Sequence, residues 1–181
     1  MIEPIVKPSP VLNLTNPEIR RLGQVKKEAV AIFIQDQVLE NILDYSDEDL
    51  QREIGGFLIG NYYLDTTGNE ELRYVQVDHF LPAVDAKSHS ASLTFTHDTW
   101  AKANHEVHTR FPEDRIVGWH HTHPRMGVFF SAYDHFIHEN FFSCDWQIAM
   151  VVDPARQELG FYQWQNLGLE NCGFVCIPAQ D

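Results

Sequence analysis

The chain has 181 residues with 13 basic and 26 acidic side chains, a formal charge of −13, 44% hydrophobic content and 3 cysteines. That length suits one globular domain with a sizeable core, and the apolar content exceeds what disordered or collagen-like chains carry. The charge argues against binding nucleic acid, whose phosphates call for a basic surface, and against docking on an anionic membrane leaflet.

The first residues show no basic stretch followed by an apolar run, so no secretory signal is expected. The longest apolar run, residues 29–34, is far below the roughly 18 residues a membrane span requires. Cys144, Cys172 and Cys176 make no even-numbered disulfide framework and read as reduced core thiols. A cytoplasmic location is expected.

Pro4, Pro8, Pro10 and Pro17 disfavour helix, so residues 1–23 read as an extended arm and residues 24–181 as the domain. Residues 29–34 form a buried strand. Asp36 then caps a helix to Tyr45, with Val38, Leu39, Ile42 and Leu43 at helical spacing. Residues 54–63 are a second apolar strand, residues 65–69 a turn, and residues 72–81 alternate as an antiparallel strand does. Residues 82–90 form a polar loop and residues 91–95 a short strand. Thr96 or Asp98 caps a helix striped by Trp100, Ala103, Val107 and Phe111. Residues 116–121 make a central strand, ended by Pro124. Residues 131–142 are a helix whose packed face is Tyr133, Phe136, Ile137, Asn140 and Phe141. Two strands follow, residues 147–152 and 159–164, split by an Asp153-Pro154 turn, and residues 174–177 give a last edge strand. Interleaved strands and helices with hairpins among them indicate an α/β fold, a mixed β-sheet with flanking helices.

Ten histidines are unusual in so acidic a chain, and five fall between positions 120 and 138. His121 and His123 are two apart at a strand end, so both imidazoles point to one face and can meet one ion. His120 points to the other face as a packed or half-exposed histidine. Ser131-x-x-Asp134 reads in two ways: as a helix capping box, or with Asp134 at the edge of the core as third ligand. His135 and His138 fall further round, toward solvent, and His138 competes for the third position. Two histidines and one carboxylate leave a fourth position for water, the open arrangement of catalytic zinc. Such chemistry needs a base. Glu53, just before an apolar strand, is the best-placed acid, although it also ends the charged run of residues 47–53 and reads equally as solvated surface.

At these residues the chain resembles the JAMM (MPN+ or JAB) zinc metalloproteases. Their signature is a glutamate upstream of His-x-His-Pro-x6-Ser-x-x-Asp, matched here by Glu53, His121, His123, Pro124, Ser131 and Asp134. The flanks Glu53-Ile-Gly-Gly-Phe-Leu-Ile-Gly60 and Gly118-Trp119 also match, and the resemblance spans roughly residues 28–165. His120 departs from it, since many members carry Tyr or Phe there. The resemblance implies a single MPN-like domain, related to the cytidine-deaminase-like fold, in a compact prokaryotic form. It implies Zn2+ on His121, His123 and Asp134, with Glu53 as general base and Ser131 donating to the oxyanion.

The expected activity is that of an isopeptidase or peptidase cutting after the Gly-Gly tail of a ubiquitin-like modifier, in deconjugation or precursor maturation. A bacterial ubiquitin-like conjugation pathway is one setting for it. The tail would add to a sheet edge, gripped by residues 82–96 and 125–130. The alternatives are processing of sulfur-carrier β-grasp proteins in cysteine or cofactor biosynthesis, and a non-catalytic MPN scaffold. Neither nucleic acid nor membrane is an expected partner.

Overall fold

The apolar runs of the chain become strands because β-branched and aromatic side chains fit a pleated, buried surface. The computed structural model describes residues 2–10, 16–26, 29–166 and 168–179. In chain order the elements begin with β1 (Ile5–Val6), β2 (Arg20–Leu22), β3 (Ala31–Gln35), α1 (Asp36–Ser46), β4 (Gly55–Asp65) and β5 (Leu72–Pro82). They continue with β6 (Lys87–His89), β7 (Ser92–Thr94), α2 (His97–Arg110), β8 (Arg115–Thr122) and α3 (Ala132–Phe141). The last are β9 (Ile148–Asp153), β10 (Glu158–Gln165), β11 (Gly168–Cys172) and β12 (Phe174–Ile177).

One mixed sheet runs in the order β11-β10-β9-β8-β4-β5-β3-β12-β2, with β1 alongside the far end of β4. β6 and β7 pair as a separate hairpin. The α/β class expected from the sequence is therefore present. Among the described residues no helix is long and apolar enough to cross a membrane.

Central strands are buried on both faces, which is why β4 and β9 read as continuous apolar runs rather than alternating ones. On one face Ile32, Leu58, Val77 and Met150 pack beneath Val38, Leu39 and Ile42 of α1. On the other, Phe57, Trp119 and Val151 pack beneath Ala103 and Val107 of α2 and Ile137 of α3. Each Val, Leu, Ile, Phe or Met among them contributes about 1.5–3 kcal/mol on burial.

A bulge decides what β8 offers to each face. Leu58 pairs with Gly118 but Ile59 pairs with Ile116, so Val117 is the extra residue. Ile116 and Trp119 therefore share the face of α2 and α3 although they are three apart. His121, two residues beyond Trp119, follows onto that face. Gly118 sits where a Cβ would lie 2.1 Å from the Ile148 carbonyl oxygen, inside the β8–β9 ladder. Gly118→Ala is expected to cost about 1–3 kcal/mol or more, the range for overpacking a tight core. Thermal unfolding of the purified variant checks this.

Besides β1, β2, β6 and β11, strands at residues where none was expected, three elements differ from the sequence expectation. Asp36 is not a cap: Gln35 occupies that position without a side-chain cap bond, and Asp36 pairs with Arg20 at 2.7 Å. β12 is not an edge, because β2 pairs along it antiparallel. On α3 the buried residues are Asp134, Ile137 and His138, whereas Tyr133, Phe136 and Phe141 are 39%, 56% and 49% exposed. The helix is turned by polar anchors, the carboxylate of Asp134 and the ring of His138, which find partners under it; aromatic content did not decide its orientation. On α2, Thr96 is the cap, in a reciprocal box with Thr99.

Candidate metal centre

β8 delivers the histidines, and its end is fixed on both sides. Thr122 N–H donates to the Ile54 carbonyl at 2.9 Å, and His123 N–H donates to the Val152 carbonyl at 2.8 Å. Both imidazoles are buried, and their Nε2 atoms lie 3.1 Å apart. The chain then turns sharply, with Arg125 and Gly127 at φ 66° and 85°. The Asp153 carboxylate, fully buried, secures that turn by accepting N–H groups from Arg125 (3.0 Å), Gly127 (2.7 Å), Ala155 (3.1 Å) and Arg156 (3.2 Å).

Burial alone would raise the pKa of Asp153; the backbone amides outweigh it and hold the carboxyl below its ordinary value. A group so depressed stabilises the fold above the pKa of an unfolded Asp, about 3.9, and loses that contribution as pH falls through the folded value. Asp153→Asn turns an amide donor toward amide donors and is expected to cost at least about 3 kcal/mol. Melting curves between neutral pH and pH 3 should show the wild type losing an acid-sensitive part of its stability that the variant lacks.

Asp134 enters from the first turn of α3. Its Oδ1 lies 3.2 Å from His121 Nε2, and its Oδ2 lies 3.3 Å from His123 Nε2. Its Oδ2 also accepts the Ser131 N–H at 2.7 Å, while Ser131 Oγ accepts the Asp134 N–H at 3.1 Å. The capping box is thus complete with the carboxylate still turned to the histidines. Facing the histidines does not force the amides to other partners, contrary to the choice the sequence poses: a carboxylate has two oxygens and about four acceptor sites. Burial works to raise the Asp134 pKa, and His121, His123 and Ser131 more than reverse it. The His121 pKa is lowered, chiefly by burial.

The donor set fits a zinc ion. Tetrahedral bonds of about 2.0–2.1 Å place ligand atoms about 3.3 Å apart, close to the 3.1–3.3 Å spacings between the two Nε2 atoms and the carboxylate. Donor atoms of His121, His123 and Asp134 all lie within 4.8 Å of one another.

Glu53 stands at the mouth of β4, 3% exposed, with Oε1 3.6 Å from His123 Nε2. It is a buried group and not part of a solvated run. Burial raises its pKa to about 7, with His123 opposing and Asp134 adding to the rise. Its backbone N–H donates to the His89 carbonyl in the β6–β7 hairpin at 2.7 Å.

The remaining histidines lie apart from this group. His120 is buried on the opposite face, with Nε2 2.9 Å from Ser46 Oγ, and burial lowers its pKa to about 3. His135 rests edge-on against Phe130. His138 is fully buried and not solvated as expected; it accepts the indole N–H of Trp119 and takes no place among the donors. From the sequence, Asp153 reads only as part of a turn. An Asp that ends a buried strand, ahead of Pro, was the available sign of a side chain accepting nearby amides.

The family model described as JAB1/Mov34/MPN/PAD-1 ubiquitin protease matches residues 27–145, about two thirds of the chain, including Glu53, His121, His123, Ser131 and Asp134. The chain belongs to the JAB/MPN family. A solved structure with a similar fold is protein DSY2949 from Desulfitobacterium hafniense, determined in solution. It aligns at a TM-score of 0.60 and 16% identity over 81% of this chain and 93% of that one. No curated protein matches the chain. The JAB/MPN family includes metalloproteases, and in this JAB/MPN domain the group His121, His123 and Asp134 could hold a metal.

Proposed function

We propose that this JAB/MPN domain is a zinc-dependent isopeptidase or peptidase that cuts after the C-terminal Gly-Gly tail of a ubiquitin-like protein. The observation that carries the reading is the convergence of His121, His123 and Asp134 at 3.1–3.3 Å beside the buried carboxyl of Glu53. His121, His123 and Asp134 would hold the ion. When bound, zinc supplies a Lewis acid that polarises a carbonyl and brings the pKa of water to about 7.

The chain's own groups do the rest. Glu53 accepts a proton from the attacking water and returns it to the leaving amine. The Ser131 hydroxyl accepts the Asp134 N–H with a lone pair, so its own proton is free to be donated to the developing oxyanion. Candidate segments for gripping the tail border the site. The β6–β7 hairpin holds Glu53 through His89 and reaches α3 through Thr94 Oγ1 and the Tyr133 hydroxyl, 2.8 Å apart. On the other side Phe129 lies against His123 with ring centroids 4.5 Å apart.

The net charge of −13 favours a basic surface on the modifier. Binding of a catalytically inert variant to such a modifier should therefore weaken as salt rises; affinity that does not change with salt contradicts this. The activity itself is tested with a ubiquitin-like protein fused through its Gly-Gly tail to a reporter, and with a sulfur-carrier β-grasp fusion in parallel. Cleavage after the second Gly that stops with chelator and returns with zinc supports the proposal, and the preferred fusion separates the two substrate classes. Absence of cleavage from the zinc-loaded protein on either fusion counts for a scaffold.

A further inference from the structure

Zinc-bound imidazoles are usually oriented from behind, by a hydrogen bond from the second ring nitrogen to a carboxylate or carbonyl. His121 has no such handle among the described residues, where its buried Nδ1 finds no hydrogen-bond partner. What it has is an indole. Trp119, fully buried, lies flat on the His121 ring, with centroids 4.4 Å apart and planes 14° from parallel. Phe142 lies near-parallel to the same indole at 5.9 Å.

Stacking sets a plane but leaves a ring free to slide and turn within it, so the indole must itself be fixed. Its one polar atom does this: Trp119 Nε1 donates to His138 Nδ1 at 3.1 Å. An indole N–H can only donate, so His138 Nδ1 carries no proton and acts as a neutral acceptor. Burial favours that state, lowering the His138 pKa to about 3. His138 is itself held on the face of α3 that carries Asp134, one helical turn further on. The helix that presents the carboxylate thus also anchors the ring behind the first histidine.

We propose that His138, acting through Trp119, is a positioning residue for His121: it fixes the indole plane and so the direction in which His121 Nε2 presents its lone pair. This rests on the reading of His121 as a zinc ligand. It also gives the fully buried histidine of α3 a role that ligand spacing could not, since His138 is not one of the donor group.

The test is zinc affinity by chelator competition for the wild type, His138→Phe, His138→Gln, Trp119→Phe and the Trp119→Phe/His138→Phe double variant. Hydrogen exchange of the indole proton is followed by NMR in the metal-free proteins. His138→Phe is expected to weaken zinc binding about 10-fold, the lower end for changes behind a ligand. His138→Gln, which can still accept the indole N–H, should recover most of that loss. Trp119→Phe keeps a stacked ring without the anchor and should weaken binding similarly, and the double variant should be no worse than the weaker single.

A His138→Phe variant that is less stable yet binds zinc as tightly as the wild type overturns the proposal, as do losses that add in the double variant. Should His138→Phe fail to fold, His138→Gln and Trp119→Phe decide the matter: Trp119→Phe with wild-type affinity overturns it. A wild type that binds no zinc instead overturns the ligand reading beneath it, and the slow indole exchange that reports the Trp119–His138 bond would then persist on its own.

Discussion

Glu53→Gln should leave zinc in place and reduce cleavage by about 10²–10⁴-fold, the usual contribution of a positioned proton acceptor. The substitution preserves shape at a buried position, so the strand behind it has no reason to move. What it removes is basicity beside His123, 3.6 Å away. The loss should therefore fall on kcat, with zinc stoichiometry and modifier binding unchanged.

The same residue predicts the acid side of the pH profile. Burial favours the neutral form of Glu53 and raises its pKa to about 7. A base works only when deprotonated, so cleavage should decline as pH falls through its pKa and level off above it. A bound cation nearby would draw that pKa down, which places the decline at or below neutral pH.

Substituting Asp134 should have the second large effect, and two variants separate its two roles. Both Asp134→Asn and Asp134→Ala remove the carboxylate that faces His121 and His123, the proposed anionic ligand, and are expected to lose zinc and cleavage. Asp134→Asn keeps an oxygen that can accept the Ser131 N–H, whereas Asp134→Ala opens that half of the capping box. Metal-free Asp134→Ala should therefore melt as a protein about 1 kcal/mol less stable than metal-free Asp134→Asn. Metal analysis with thermal melts of the stripped proteins checks both points. Zinc retained in Asp134→Ala would place the third ligand elsewhere.

Much of this architecture was legible because its core strands carry long apolar runs. β4, β5, β8, β9 and β10 lie within a few residues of where periodicity puts them. β1 and β2 were not legible. They are two and three residues long with exposed side chains, so their pairing is a matter of backbone partners far along the chain. The buried face of α3 is not legible for a related reason. Its aromatic stripe looks like a packed face, but the helix is set by bonds to residues distant in sequence, the indole of Trp119 and the ring of His121.

The site shows the same division. Spacing along a strand brings His121 and His123 together, and the motif adds Asp134, Ser131 and Glu53. Three things needed the fold. One is that capping and facing the histidines are compatible for Asp134. Another is that Glu53 is buried, which a charged run conceals. The third is that the Asp153 carboxylate, nineteen residues beyond Asp134, secures the turn that follows His123.

The most direct test is the zinc content of purified, zinc-reconstituted protein beside His121→Ala and His123→Ala, with circular dichroism to confirm that each variant is folded. One zinc per chain in the wild type and almost none in either folded variant is the predicted result. A wild type that takes up no zinc, or zinc that survives both substitutions, would contradict the account.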